Sequence, residues 1–264
     1  MKISCLECQR QRSTLVEMLE TRDSRRQATG DARRQDPLKD RIIIITGASS
    51  GIGEATALKL SSLGANVAVL ARRKEKLEDL ASRIDKAGSG KALAVCADVT
   101  SVESMRMAVA QACEYFKGSV WGLVNCAGVM HYQKVSDLDV ESWNQQLDTN
   151  CRGVLNSTAA VLPSMKEAGK QGLCVYSATK HFVEAWAQEL VAFGIKVTNV
   201  QPGDVKTELL MHTRDPSALA EFGGDSNRQM LESGDVAEMI AFAMTQKTHC
   251  AVNEILVEPT EAPL

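Results

Sequence analysis

Four consecutive isoleucines, Ile42 to Ile45, run directly into Thr46-Gly47-Ala-Ser-Ser-Gly51-Ile52-Gly53, and no other segment restricts the fold of this chain as much. A β-branched run without polar alternation predicts a strand buried on both faces, as in parallel sheets covered by helices on each side. After Gly53 the apolar positions Ala57, Leu58, Leu60 and Leu63 return at helical spacing, which puts Gly47, Gly51 and Gly53 at a strand-to-helix junction. A missing Cβ lets the chain turn sharply and lets its backbone approach a pyrophosphate, while the helix N-terminus points free N–H groups at the anion. Strand, turn and helix in this order predict a dinucleotide-binding junction.

The rest of the chain repeats the alternation. Strand patterns lie near 42–46, 66–70, 91–96, 120–125, 195–200 and 251–257, and helical patterns near 53–63, 74–87, 101–116, 141–168, 176–193 and 234–246. Such alternation predicts an α/β fold, a Rossmann-like doubly wound and mostly parallel sheet with helices on both faces. At 264 residues and 44% hydrophobic content, the chain can bury one sizeable core. In such sheets ligands bind beyond the carboxyl ends of the strands, where Gly47, Asp98, Asn125 and Pro202 all fall.

A net charge of −3 gives no electrostatic reason to expect nucleic acid or an anionic membrane. No apolar run approaches the roughly 18 residues of a membrane span. The eight cysteines sit mostly in strand or helix contexts and read as reduced residues of a cytoplasmic protein. Residues 1–38 carry little apolar periodicity and mix arginines with acids, so a disordered N-terminal extension is expected there, with a single domain over 39–264. Glu7, Glu17, Glu20, Asp23, Asp31 and Asp36 are too many acids for a mitochondrial transit segment. Cys5 and Cys8 could form half a zinc site, yet no second pair follows nearby, and no metal is expected.

Two further segments carry chemistry. Tyr176-Ser-Ala-Thr-Lys180 reads as the start of a helix with a phenol and an ammonium four residues apart on one face. There the Lys180 charge would lower the Tyr176 pKa from about 10, tuning it for general acid-base work. At the end of the second strand stand Ala71-Arg72-Arg73, where a site preferring NAD would place an acid for the ribose 2′-hydroxyl. Two arginines suit a 2′-phosphate instead, which predicts NADP (NADPH) as cofactor.

Together Thr46 to Gly53, Asp98-Val99, Asn125-Cys-Ala127-Gly128, Asn150, Tyr176, Lys180 and Pro202-Gly203 resemble the motifs of the short-chain dehydrogenase/reductase family. The resemblance covers about residues 38 to 260. Gln201-Pro-Gly-Asp-Val-Lys-Thr207 and Val252 to Pro259 resemble its NADP-dependent hydroxy-acid dehydrogenase branch of wide substrate range. It implies an oxidoreductase moving a hydride between nicotinamide and a small hydroxy acid, alcohol or carbonyl compound. The implied catalytic residues are Tyr176, Lys180 and Asn150, the last through a helix distortion that orders a water. Implied cofactor contacts are Gly47, Ser49, Ser50, Gly51, Ile52, Gly53, Arg72, Arg73, Asp98, Val99, Asn125, Ala127, Gly128, Tyr176, Lys180, Pro202, Gly203, Val205 and Thr207. A substrate lid over 204–226 and a homodimer or homotetramer are implied as well.

In one place the chain departs from that family. Relatives place a strand and a serine-bearing loop before the catalytic tyrosine; here only Lys170 to Val175 separate Tyr176 from the preceding helical pattern. Extended, that stretch reaches about 20 Å, enough for one stunted strand without an active-site turn. Central strand five is therefore expected to be truncated or absent, with Leu173 to Tyr176 as its possible replacement. Neither Ser164, in the preceding helix, nor Ser177 stands where the family's carbonyl-polarising hydroxyl belongs. A catalytically impaired NADP-binding pseudoenzyme, or a truncated isoform with a regulatory or partner role, is the alternative function.

Overall fold

Strand β1 (Ile42–Thr46) is buried throughout because its residues serve two cores in turn. Ile44 packs with Ala68, Leu70 and Leu123 on one face of the sheet, whereas Ile43 and Ile45 join Leu60, Val67 and Val69 on the other. The computed structural model describes residues 36–131, 134–168, 171–176, 190–209 and 229–260. After β1 come α1 (Gly51–Ser62), β2 (Asn66–Ala71), α2 (Lys74–Ala87), β3 (Ala92–Cys96), α3 (Val102–Phe116) and β4 (Val120–Asn125). Next are α4 (Val140–Leu147), a π-helical turn (Asp148–Arg152), α5 (Gly153–Ala168), β5 (Gln171–Tyr176) and β6 (Ile195–Pro202). A short ladder of β7 (Val205–Lys206) and β8 (Leu231–Glu232), then α6 (Ser233–Met244) and β9 (Glu254–Val257), complete the order.

The main sheet has seven strands in the order β3-β2-β1-β4-β5-β6-β9. Every pairing in it is parallel. Helices cover both faces for the reason set by the strands: each face is apolar and needs a partner. In α3 the buried residues Met105, Ala108, Val109 and Ala112 recur at helical spacing, and the Ser101 hydroxyl accepts the Ser104 N–H to cap its first turn. Truncating the fully buried Met105 to Ala would cost about 2–5 kcal/mol. Helix α2 buries Leu77, Leu80 and Ile84 against the opposite core. No helix among the described residues is long and apolar enough to cross a membrane.

Pro37–Leu264 form one compact unit, and Leu38 is buried in its core with its N–H donating to the Leu63 carbonyl at 3.1 Å. The expected extension otherwise lies outside the described residues, as do Cys5 and Cys8.

Strand five decides between the truncated and absent forms that the sequence left open. It is present as β5, in register with β4 from Gly122↔Gly172 to Asn125↔Val175 and with β6 from Gln171↔Ile195 to Tyr176↔Val200. The replacement begins at Gln171, earlier than Leu173, and ends at Tyr176 as expected for it. The physical reason lies in its neighbours: β4 and β6 both carry buried backbone groups that need a ladder between them, and only this segment can reach. Tyr176 accordingly closes a strand instead of opening a helix. At Tyr176 itself, local helical spacing yields to non-local pairing. Lys180 and residues 177–189 lie outside the described residues. The single helix expected over 141–168 is likewise divided, into α4, the π-helical turn and α5.

Candidate active site

The cleft opens at the carboxyl ends of β1, β2, β3 and β4, around the turn from β1 to α1. Gly47 there adopts φ +65°, and a Cβ on it would lie 2.6 Å from the Ala127 backbone. This close approach brings the β1 turn against the β4 turn, where the Thr46 hydroxyl accepts the Ala127 N–H at 3.2 Å. Ser50, the residue before α1, is extended and makes no side-chain cap. The first-turn N–H groups of α1 are thus left to an anion.

A cavity of about 200 Å³ is lined by Gly47, Ser49 to Gly53, Ala71 to Arg73, Ala97 to Val99, Cys126 to Val129, Thr149 and Thr207 to Leu209. Positive charge enters from the end of β2. Arg73 donates from Nε and Nη2 to the Ser49 hydroxyl at 3.0 and 2.8 Å, and from Nη2 to the Ser50 hydroxyl at 2.6 Å. Its Nη1 donates to Glu208 Oε2 at 2.8 Å, while Lys76 Nζ donates to both Glu208 oxygens at 2.9 and 3.2 Å. Those hydrogen bonds from Arg73 and then Lys76 hold the Glu208 carboxyl at about 2, well below the ordinary carboxylate range. Arg72 lines the same cavity and the adjoining one toward Asp148, and among the described residues nothing pairs with its guanidinium.

Asp98 at the end of β3 uses Oδ1 to accept the Thr100 N–H and hydroxyl at 2.9 and 2.8 Å, which fixes the carboxylate at the cavity wall. The Cys126 residue reaches the cavity but its sulfur is enclosed: burial pushes the thiol up to about 12, a hydrogen bond with Thr56 acting weakly the other way. At that value it forms no thiolate nucleophile near neutral pH.

Residues 41–218 match the family described as short chain dehydrogenase. The chain belongs to the short-chain dehydrogenase/reductase family. These are oxidoreductases that act on small molecules with a nicotinamide cofactor. Over 247 residues it is 39% identical to the glycine betaine reductase ATRR of Emericella nidulans, a match covering 86% of this chain and 19% of that protein. The chain thus spans about a fifth of that relative's length. An uncharacterized oxidoreductase of Staphylococcus haemolyticus is 37% identical over 242 residues, covering 84% of this chain and 98% of the relative. Among solved structures, a short-chain type dehydrogenase/reductase from Mycobacterium marinum superposes with a TM-score of 0.75 at 26% identity, over 85% of this chain and 96% of that one.

The remaining site residues of this short-chain dehydrogenase divide into those the cleft gathers and those it does not. Gly47, Ser49, Ser50, Gly51, Ile52, Gly53, Arg72, Arg73, Asp98, Val99, Ala127, Gly128 and Thr207 all line it. Asn150 stands behind, at the centre of the π-helical turn: Oδ1 accepts the Val129 N–H and Nδ2 donates to the Val129 carbonyl, both at 2.8 Å. That two-point contact pins the wall strand-end beside Gly128. Asn125 is buried at the end of β4, outside the lining, and neither polar atom of its amide has a partner. Pro202 ends β6 and Gly203 donates its N–H to the Val257 carbonyl at 2.8 Å, so both belong to the β6–β9 margin. Val205 lies in β7 and packs partly against the core. Ser164 accepts the Val120 N–H at 2.9 Å at the opposite end of β4, far from any role in this cleft. Residues 210–226 of the expected lid lie outside the described residues.

Sequence reasoning missed Glu208 altogether. Its partner Arg73 is 135 residues away, and nothing local to Thr207-Glu208-Leu209 announces the contact.

Proposed function

We propose that this cleft binds NADP(H) and that the chain belongs to the part of the family that moves a hydride between nicotinamide and a small hydroxy acid, alcohol or carbonyl compound. One observation carries the cofactor choice: Arg73 is locked onto the two serines of the glycine-rich turn while Arg72 stands unpaired beside it, so a 2′-phosphate arriving there meets positive charge. The residues fit the cofactor. Gly47 and Gly53 let the turn fold tightly against the Ala127 backbone and the Gly47 carbonyl, α1 presents uncapped N–H groups to a pyrophosphate, and Asp98 stands where an adenine would lie. The bound nicotinamide would supply the hydride. Of the chain's own groups, Tyr176 would exchange the proton of the substrate oxygen and Lys180 would lower its pKa, both roles resting on the family resemblance.

A second reading, cofactor binding without turnover, is favoured by one observation. Tyr176 is the last residue of β5, so no chain is left between strand and tyrosine to carry a carbonyl-polarising serine. Fluorescence titration of the purified 264-residue chain with NADPH and NADH, followed by a turnover screen over hydroxy acids, alcohols and carbonyls, separates the readings. Tight NADPH binding with turnover selects the first, and tight binding without it the second. No preference for NADPH over NADH would remove the cofactor assignment.

A further inference from the structure

Glu208 reaches across the mouth of the cleft from the segment that follows β7. Its two oxygens are taken by Arg73 and Lys76, from the end of β2 and the first turn of α2, and Arg73 is held at the same time by Ser49 and Ser50. Beside it Thr207 lies so close to Gly51 that a Cβ there would be 3.2 Å from the Thr207 methyl. Two cations, one of them braced by two hydroxyls, hold an anion, and that anion is the protein's own carboxylate. Glu208 lines the same cavity of about 200 Å³ as the glycine-rich turn and Arg72, so an anion approaching Arg73 there meets the carboxylate first.

We propose that Glu208 is a displaceable internal counter-anion that sets the preference for NADP(H) over NAD(H). This rests on the reading of the cleft as a nicotinamide dinucleotide site. In the ligand-free chain Glu208 neutralises Arg73 and Lys76; a 2′-phosphate must displace the carboxylate to use the same donors, whereas a bare ribose hydroxyl gains nothing from doing so. The carboxylate thereby weakens NADPH more than NADH. The contact is part exposed, with 39% of the Glu208 side chain open to solvent, so it can exchange for another anion without unfolding the core.

The test is Glu208→Gln, which keeps size and removes charge. Titrated side by side with the unmodified chain at low salt, the variant should bind NADPH about three- to tenfold more tightly and NADH within about twofold, the scale of one or two part-exposed charge contacts. Raising the salt should shrink the difference. In an Arg73→Ala background the same substitution should give a clearly smaller NADPH gain, the part left to Lys76, which ties the rest of the effect to that guanidinium. Unchanged or weaker NADPH binding by a folded Glu208→Gln protein, or equal gains for NADPH and NADH, would overturn the proposal while leaving the dinucleotide site intact. Failure of both proteins, folded by circular dichroism, to bind either nucleotide would instead remove the dinucleotide reading, and this inference with it.

Discussion

Beside β4, the buried Thr46 hydroxyl of β1 finds a backbone partner, while the two buried asparagines that flank β5 keep polar atoms without one among the described residues. Toward β1, Thr46 pairs with Asn125 in the register, and the Thr46 hydroxyl, buried like its neighbours, accepts the Ala127 N–H. Toward β5, the row Asn125↔Val175↔Asn199 places two buried asparagines on either side of a valine position. Both amide atoms of Asn125 and Oδ1 of Asn199 are left without hydrogen bonds. The backbone ladder is equally complete on each side, so the difference belongs to side chains alone. A strand can be supplied by any segment long enough to reach, because backbone donors and acceptors are common to all residues. Its side-chain complement cannot, and a buried polar atom without a partner costs about 1–3 kcal/mol. The β1 side of that row is therefore the better-finished half, whereas the β5 side keeps buried amide atoms without partners among the described residues.

The largest break in that contrast would come from lengthening the poorer half. Inserting a strand and serine-bearing loop of the family type after Lys170 should raise carbonyl turnover at saturating NADPH by at least about 10²–10³, the scale of one oxyanion-directed donor. Turnover by the unmodified chain equal to that of the lengthened one would show that β5 already presents such a group. On the finished half, Arg72→Ala should weaken NADPH by about tenfold and leave NADH nearly unchanged, through loss of a charge-assisted contact. Parallel titrations decide this, and equal losses for both nucleotides would place Arg72 away from the 2′-phosphate.

A smaller effect should come from giving the orphaned amides a partner. Val175→Asn is expected to raise stability by about 1 kcal/mol, seen as a higher urea midpoint at unchanged slope. A lower midpoint would mean that Asn125 and Asn199 cannot reach that position. The smallest effect concerns Glu208. Because the Glu208 carboxyl is depressed to about 2 in the folded chain, its contribution should be fully present above the ordinary carboxylate range and fade as pH falls through that range toward about 2. The difference in Tm between the unmodified chain and Glu208→Gln should thus stay level from about pH 7 to 5 and shrink below it. A difference that grows on acidification would contradict the assigned sign.

These contrasts also explain what was legible from residue order. The isoleucine run, the glycine turn and the helical spacing after it are all local, and each has one structural solution, so β1, α1 and the cleft followed directly. The helix distortion around Asn150 could be named only through family resemblance, since Asp148 to Arg152 looks like ordinary helix and its widened turn is fixed by the grip of Asn150 on Val129. Strand β5 was placed too short at its start, at Leu173, because Gln171 and Gly172 carry no strand pattern of their own and only pairing with β4 and β6 makes them strand. Glu208 was invisible for a related reason: its meaning comes from Arg73 and Lys76, which folding, not sequence proximity, brings to it.

The position of β5 has one more consequence, for the time before the native state is reached. Its neighbours flank it on both sides, so until Gln171–Tyr176 is seated, β4 and β6 each show a bare row of amides and carbonyls. Such rows accept strands from any source, including another molecule of the same sequence. Parallel pairing across long crossovers is also slow to form. During synthesis and refolding, the filling of this single slot is what separates a continuous seven-stranded sheet from strand exchange between chains.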